Sequence, residues 1–200
     1  VSLGQIVKVI AGGHDCDCGL LGVGVYDEAQ PMVGEITGTY DHVGFLSKQS
    51  MNLALEDKTG TFLSYCAPVE DQMICMSSFP TYGASLEWFM REIVGDTRQS
   101  AYDRLWAKSR FEGVNHVIMF PDFSRGGRFE ALSLGSSRQQ MFEALIESLT
   151  YESRRLVDLC KQFKKNGINT VRIGGGPSRS DVWMQLRADV LGIRFERMDS

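Results

Sequence analysis

The sequence has little net charge, no long apolar run and no signal-peptide pattern. Its formal net charge is -4, with 21 Lys and Arg against 25 Asp and Glu. Binding to a nucleic-acid backbone needs a basic face, so this balance argues against a nucleic-acid partner. Because no apolar stretch approaches the length of a bilayer, and Val1-Ser2-Leu3-Gly4 does not resemble an export signal, we also expect no membrane partner.

Cysteines are few and odd in number, which excludes a regular disulfide framework. The five are Cys16, Cys18, Cys66, Cys75 and Cys160. This spread is typical of a reduced protein, and we predict a cytoplasmic location. An initiator methionine is also lacking, which is typical of a processed chain or of a piece of a longer one. What is present, 200 residues of which 43% are hydrophobic, suits one domain with a substantial core.

Hydrophobic patterning predicts a mixed α/β domain, with a β-meander followed by helices and a final strand–turn–helix unit. Strands are predicted over 5–11, 34–40, 43–46, 60–67, 72–77, 116–120 and 170–173. Helices are predicted over 14–25, 84–94, 101–111, 139–165 and 180–191, and a polar loop over 121–135. Such an order places several strand ends and helix starts where a small ligand could bind.

Two glycine-rich turns stand near the ends of the chain. Gly12-Gly13-His14-Asp15 follows one apolar strand, and Gly174-Gly175-Gly176 follows another. Glycines let the backbone approach a ligand closely, and a helix N-terminus favours an anion. Neither turn matches the P-loop or the dinucleotide-binding fingerprint. The pair nevertheless suggests a phosphoryl-transfer site.

Asp15 and the pair Gly38-Thr39 each allow two interpretations. Asp15 could accept a hydroxyl proton as the oxygen attacks phosphorus, or it could simply be the N-cap of the following helix. Gly38-Thr39 could face phosphate oxygens with an N–H group and a hydroxyl, or it could be an ordinary β-turn. Local sequence alone favours the structural interpretation at both positions.

A zinc site at the first turn is the weakest of the candidates. Cys16 and Cys18 lie beside His14 and Asp17, but one intervening residue is fewer than zinc motifs use, and no second Cys/His pair exists elsewhere. Buried free thiols explain the pair better, and we assign no metal ligands. Trp183 is expected to anchor the last helix against the sheet.

Taken together, three segments resemble the FGGY carbohydrate kinases. They are Gly12-Gly13-His14-Asp15, the run Gly34 to Thr39, and the run Gly174 to Gly192, which includes Trp183-Met184-Gln185 and Ala188-Asp189-Val190-Leu191-Gly192. The resemblance covers nearly the whole chain, from about Val7 to Arg194. It implies an actin-like, ribonuclease-H-like ATPase domain with a mixed sheet and flanking helices. It also implies transfer of phosphate from ATP to a sugar or polyol hydroxyl.

The resemblance assigns roles to six positions. Asp15 matches the catalytic base. The positions that match nucleotide contacts are Gly38 and Thr39 (β- and γ-phosphates), Gly175 and Gly176 (α-phosphate and ribose) and Ser180 (adenine). The implied cofactors are ATP and Mg²⁺, and the ion would be held mainly by ATP phosphates and water.

Two departures from the family limit what this chain does alone. The resemblance implies an N-terminal kinase domain of the same fold as a partner, and a final helix, neither of which occurs within residues 1–200. We therefore expect residues 1–200 to be one C-terminal nucleotide-binding domain without kinase activity of its own, because catalysis needs both halves to close. The resemblance allows a homodimer. The alternative is a non-catalytic, actin- or chaperone-like nucleotide-binding module.

Overall fold

The computed structural model describes residues 12–49, 62–111 and 115–198, which form a mixed sheet with helices on both faces. Its strands are β1 (Met32–Thr37), β2 (Asp41–Ser47), β3 (Phe62–Cys66), β4 (Met73–Phe79), β5 (Ile118–Phe120), β6 (Arg128–Glu130), β7 (Thr170–Gly175) and β8 (Arg194–Arg197). Its helices are α1 (Asp15–Gly22), α2 (Tyr82–Trp88), α3 (Gln99–Lys108), α4 (Arg138–Phe163) and α5 (Asp181–Leu191). A π-helical segment, Phe89–Val94, continues α2, and a 3-10 turn, Gly176–Arg179, precedes α5.

Six strands form the main sheet in the order β3-β4-β2-β1-β7-β8, while β5 and β6 make a separate ribbon. The pairs from β3 to β1 are antiparallel, and β1, β7 and β8 run parallel. In this register Thr37 lies opposite Asp41 on one side and opposite Gly175 on the other. The carboxyl ends of β1 and β7 therefore meet at one edge of the sheet.

Two apolar cores cover the two faces of the sheet. The larger joins Val33, Val43 and Val171 of the sheet to α4 and α5, and it includes the fully buried Trp183. The smaller packs Leu20 of α1 against the opposite face. Helix α4 owes its sharp start to a capping box, in which Ser137 and Gln140 satisfy each other's backbone N–H groups.

Helix α1 lies flat on the sheet and antiparallel to β1. A Cβ atom at Gly34 would lie 2.7 Å from Leu20 Cδ2, and one at Gly19 would lie 3.1 Å from Ile36. Gly19 thus lies beside Ile36, and the next residue of the helix, Leu20, lies beside Gly34, which comes earlier in β1. The helix and the strand therefore run in opposite directions. Asp15 precedes Gly19 by about 6 Å of helix rise, so the N-terminus of α1 points toward the turn that follows Thr37.

The mixed α/β prediction is confirmed, with local corrections. The loop expected over 121–135 contains β6, and β8 was not expected. The helix expected over 84–94 begins at Tyr82, and its last part is π-helical. In that segment the backbone hydrogen bonds join residues five apart instead of four. The strand expected over 5–11 lies outside the described residues. Within the described ranges, no helix is both long and apolar enough to cross a bilayer.

Candidate functional site

A cavity of about 770 Å³ opens at the sheet edge where β1 and β7 end. Its walls come from the turn after β1, the start of α2, helix α3, and the segment from the 3-10 turn into α5. The residues that line the cavity include Gly38, Thr39, Gly83, Glu87, Tyr102, Asp103, Trp106, Gly176, Ser180, Asp181 and Trp183. Its volume falls in the range of small-molecule and cofactor sites.

The Gly38-Thr39 turn is fixed by the start of α2. The N–H of Gly83 donates to the carbonyl oxygens of Gly38 and Thr39, both at 3.1 Å, and the Ala84 N–H reaches Thr39 O at 3.4 Å. A Cβ atom at Gly83 would lie 2.1 Å from Gly38 O, so only glycine fits there. The turn is thus held rigidly at the cavity wall, and Gly83 is a site residue that the sequence reasoning missed.

Gly175 ends β7 in a conformation that side chains rarely adopt. Its φ is 112°, and a Cβ atom there would lie 1.9 Å from Thr37 O. Thr37 Oγ1 donates to Gly174 O at 3.0 Å, and Ser178 Oγ donates to Gly175 O at 2.7 Å. The turn expected between strand and helix is present, although the strand runs through Gly175 and the turn, Gly176–Arg179, is 3-10 helical.

Ser180 is the N-cap of α5, since its Oγ accepts a hydrogen bond from the Trp183 N–H at 3.3 Å. Trp183 Nε1 donates to Thr150 Oγ1 of α4 at 2.9 Å, and its ring stacks between those of Tyr82 and Trp106. These polar and ring contacts of Trp183 are made with helices. The expected anchor therefore exists: Trp183 lies in the core that joins the sheet to α4 and α5, and its polar contact ties α5 to α4.

Asp15 is the first residue of α1 and does not line the cavity. The N-cap position belongs to His14, so the interpretation of Asp15 as the cap is wrong. Its Oδ1 accepts from the Cys16 N–H at 2.9 Å and lies 2.9 Å from His14 Nδ1. Its side chain is 95% exposed. Since α1 covers the face of the sheet opposite α4, Asp15 approaches the Gly38-Thr39 turn from the side away from the cavity.

Comparisons with known proteins now decide the family. Residues 64–200 match the family model described as "FGGY family of carbohydrate kinases, C-terminal domain". The chain belongs to the FGGY family of carbohydrate kinases. This FGGY chain is 26% identical to a glycerol kinase of Listeria welshimeri, over 98% of this chain and 41% of that protein. It is 25% identical to a xylulose kinase of Staphylococcus xylosus, over 92% and 38%.

Solved structures show the same fold. The FGGY chain superposes on Plasmodium falciparum glycerol kinase with ADP at a TM-score of 0.74, with 17% identity, over 93% of this chain and 38% of that one. The TM-score with xylulose kinase from Rhodospirillum rubrum is 0.71, with 20% identity, over 88% and 36%. The expected actin-like ATPase fold is confirmed. The chain spans about two fifths of the length of the curated relatives that it matches.

Of the positions proposed from sequence for the nucleotide, four line one cavity in this FGGY chain: Gly38, Thr39, Gly176 and Ser180. Gly175 lies directly behind them, against Thr37. Tyr102 and Trp106 of α3, neither of which was proposed from sequence as a site residue, also line the cavity. Their place on α3 follows an ordinary amphipathic pattern, which does not distinguish a cavity wall from a core.

His42 is a second residue of the FGGY chain that the sequence did not reveal. It follows the Gly38-Thr39 turn on β2, its Nδ1 lies 2.8 Å from Ser78 Oγ, and its ring stacks on Tyr40. Burial lowers the pKa of His42, and the negative charge of Asp15 opposes that shift. The imidazole is therefore neutral near pH 7 and lies within the electrostatic influence of Asp15.

His14, Cys16 and Asp17 bring one potential metal-ligand atom each to within 4.8 Å of one another. All three atoms already have partners: His14 Nδ1 lies 2.9 Å from Cys16 Sγ, and Asp17 Oδ1 accepts from Tyr65 Oη at 2.6 Å. Burial, followed by the charge of Asp17, raises the pKa of the Cys16 thiol to about 11. These contacts tie Cys16 and Asp17, at the start of α1, to His14 and Tyr65. The five cysteines, all within the described residues, are free.

Proposed function

We propose that the protein containing this chain transfers the γ-phosphoryl group of ATP to a hydroxyl of a sugar or polyol, and that this chain supplies the nucleotide-binding half. The single observation that carries the proposal is the cavity at the edge of the sheet. Backbone from three separate segments, at Gly38-Thr39, Gly83 and Gly176, converges on it. Glycine-bordered strand ends beside helix starts suit phosphate groups, and the family membership supplies the reaction class.

The nucleotide fits the residues that are present. The N–H group and hydroxyl of Thr39 would hold the β- and γ-phosphates beside Gly38, whose own N–H donates to Tyr40 O at 2.8 Å, and Gly175 and Gly176 would face the α-phosphate and ribose. A Cβ atom at Gly176 would meet nothing within 4 Å, so space remains there for a ligand. Ser180 would border the base. Mg²⁺, when bound with ATP, supplies charge neutralisation to the phosphates, and phosphate oxygens and water are its preferred ligands.

Asp15 is proposed as the catalytic base. Its carboxylate is exposed at the N-terminus of α1, on the side of the Gly38-Thr39 turn that faces away from the cavity. For Asp15 to act, the γ-phosphate must extend past the end of the Gly38-Thr39 turn, so that the acceptor hydroxyl lies between the carboxylate and the phosphorus. Proton acceptance by such a carboxylate typically contributes about 10²–10⁴-fold to the rate.

The substrate class and the partner follow from the relatives. A glycerol kinase and a xylulose kinase share this domain, which supports a polyol or sugar acceptor. Because the relatives are more than twice as long, we propose that residues 1–200 form a C-terminal domain that closes against an N-terminal kinase domain. We expect the chain alone to show no sugar-dependent ATP consumption, since one half cannot exclude water from the reaction. The cytoplasmic location stays a prediction.

The test is a coupled ATP-consumption assay on the full-length protein with a panel of sugars and polyols. With the best acceptor, Asp15→Asn should lower kcat by about 100-fold or more, because the amide cannot accept the proton. Asp189→Asn, a matched exposed change on α5, should leave kcat unaltered. A loss below about tenfold in Asp15→Asn would remove the base assignment. ATP binding without turnover for any acceptor would instead favour a non-catalytic nucleotide-binding module.

A further inference from the structure

Three charged side chains lie buried behind the cavity wall and have no part in the proposed function. They are Glu35 on β1, Asp41 on β2 and Arg187 on α5, and each is 0% exposed. Arg187 stacks on Trp183, with its guanidinium carbon 4.8 Å from the ring centroid, and Trp183 lines the cavity. Burial of charge is costly, so this cluster needs a reason.

The cluster is a continuous network of hydrogen bonds. One amino group of Arg187 contacts Glu35 Oε1, and the other contacts Tyr82 Oη. Tyr82 Oη lies 3.1 Å from Ser153 Oγ, and Ser153 Oγ donates to Asp41 Oδ2 at 3.0 Å. Since these residues sit on α5, β1, α2, α4 and β2, the network joins five elements.

The charges in this network do not balance if both acids are ionised. Two carboxylates would face one guanidinium, and Glu35 Oε2, Asp41 Oδ1 and Arg187 Nε have no hydrogen-bond partner among the described residues. Thr37 pairs with Asp41 and Glu35 pairs with Val43, so Glu35 and Asp41 are diagonal neighbours on one face of the sheet. A proton on one of them turns two unpartnered acceptors into a donor and an acceptor, and leaves one carboxylate for one guanidinium.

Asp41 is the carboxyl group whose surroundings favour the proton. Burial, reinforced by the negative charge of Glu35, raises the pKa of Asp41 well above its usual value, although Arg187 opposes the shift. Burial also raises the pKa of Tyr82, so the phenol stays neutral. The remaining ion pair is then Glu35 with Arg187.

We propose that Asp41 and Glu35 share one proton and, together with Arg187, act as positioning residues that hold the Gly38-Thr39 turn and α5 in fixed relation around the nucleotide. Asp41 comes two residues after Thr39, Tyr82 immediately precedes Gly83, and Arg187 lies one turn after Trp183. Each end of the network is therefore next to a wall of the cavity. The proposal rests on the proposed function only for the identity of the ligand.

The shared proton has a consequence for stability. The folded chain keeps a proton on Asp41 at pH values where the unfolded chain, with its ordinary pKa of 3.8, has lost it. The folded state thus binds more protons, and stability falls as pH rises from about 4 toward the folded pKa. Asp41→Asn keeps a neutral donor and removes this loss. Glu35→Gln should reduce it, because the charge of Glu35 no longer adds to the burial that raises the pKa of Asp41.

The experiment uses the full-length protein, with Asp41→Asn, Glu35→Gln and the double variant, and Glu130→Gln on the exposed β6 as control. Melting temperatures are measured at about pH 5 and pH 8, and ATP affinity by calorimetry. From pH 5 to pH 8, the melting temperatures of wild type and control should fall by more than those of either single variant. Each single variant should change the Kd for ATP by less than about threefold, and the double variant, which leaves Arg187 unpaired, should raise it by about tenfold or more.

Three results would overturn the proposal. If Asp41→Asn lowers the melting temperature relative to wild type by the same amount at both pH values, Asp41 is ionised in the folded chain and no proton is shared. If the double variant melts earlier but binds ATP as wild type does, the network supports the fold without positioning the site. Should the double variant fail to fold, the infrared difference between wild type and Asp41→Asn at pH 7 decides, since a protonated carboxyl band must disappear. Absence of ATP binding by wild type would reject the proposed function and leave the pH signature standing.

Discussion

At the scale of single residues, the site is shaped by places where a side chain cannot be accommodated. Gly175 lies so close to Thr37 that a methyl group would overlap the Thr37 carbonyl oxygen, and Gly83 stands in the same relation to Gly38. In both places the backbone of one element packs directly against the backbone of another, with no side chain between them. Part of the cavity wall is thus built from main-chain atoms, which a phosphate group can approach closely.

Gly175→Ala should therefore be far more harmful than Gly176→Ala. The first change places a Cβ atom 1.9 Å from Thr37 O at a φ of 112°, whereas the second meets nothing within 4 Å. Strain of this kind costs about 1–3 kcal/mol of unfolding free energy, and the overlap adds to it. Urea denaturation of the two variants measures the difference. Equal stabilities would show that the β1–β7 contact is looser than described.

At the scale of elements, Ser180 and Trp183 set where α5 begins and what it packs against. The Ser180 hydroxyl caps the helix, and Trp183 fixes its first turn to α4 through Thr150. Both contacts fix the start of α5 beside Gly176.

Ser180→Ala should cost about 1 kcal/mol of unfolding free energy through the lost cap, and Ser180→Asn should restore most of it. Thermal unfolding of both variants checks the cap. ATP affinity, measured on the same samples, checks the proposed place of Ser180 beside the base: a full loss of the cap with unchanged affinity would limit Ser180 to a structural role.

The elements also show what sequence could and could not predict. Helix α4 and the β1–β4 meander were predicted because their apolar periods are long and regular. Strands β6 and β8 were missed because each is short and mostly polar, as in Arg194-Phe195-Glu196-Arg197, so no alternation stands out. Arg187 was missed for a related reason. A charge on an amphipathic helix is normally solvated, and only the tertiary structure shows that this one is buried.

At the scale of the whole molecule, the sheet separates two chemical environments. One face carries the helices that enclose the cavity, and the other carries α1 with Asp15 and His14. The Gly38-Thr39 turn stands between them. His42 lies next to that turn. Because burial lowers its pKa in the folded chain, protonation of His42 changes the stability of the fold.

Stability should fall below about pH 6.5 partly because of His42. Burial lowers its pKa in the folded chain from the ordinary 6.5, so the unfolded chain binds the proton more readily as the solution is acidified. His42→Gln should flatten the decline in melting temperature between about pH 7 and pH 5, while the exposed His116→Gln should leave it unchanged. A slope that His42→Gln does not alter would assign the acid sensitivity to other groups.

The parallel pairing of β1 with β7 also bears on how the chain is made. Thr37 and its partner Gly174 are 137 positions apart, so during synthesis β1 waits on the order of ten seconds for its neighbour at translation rates of about 5–20 residues per second. Throughout that interval the β1 edge that β7 will cover is open to pairing with other chains. Glu35, a charge in the middle of that strand, makes such pairing costly because it would have to be buried without Arg187. We expect the charge of Glu35, which Arg187 neutralises in the folded chain, to disfavour such pairing in the nascent chain.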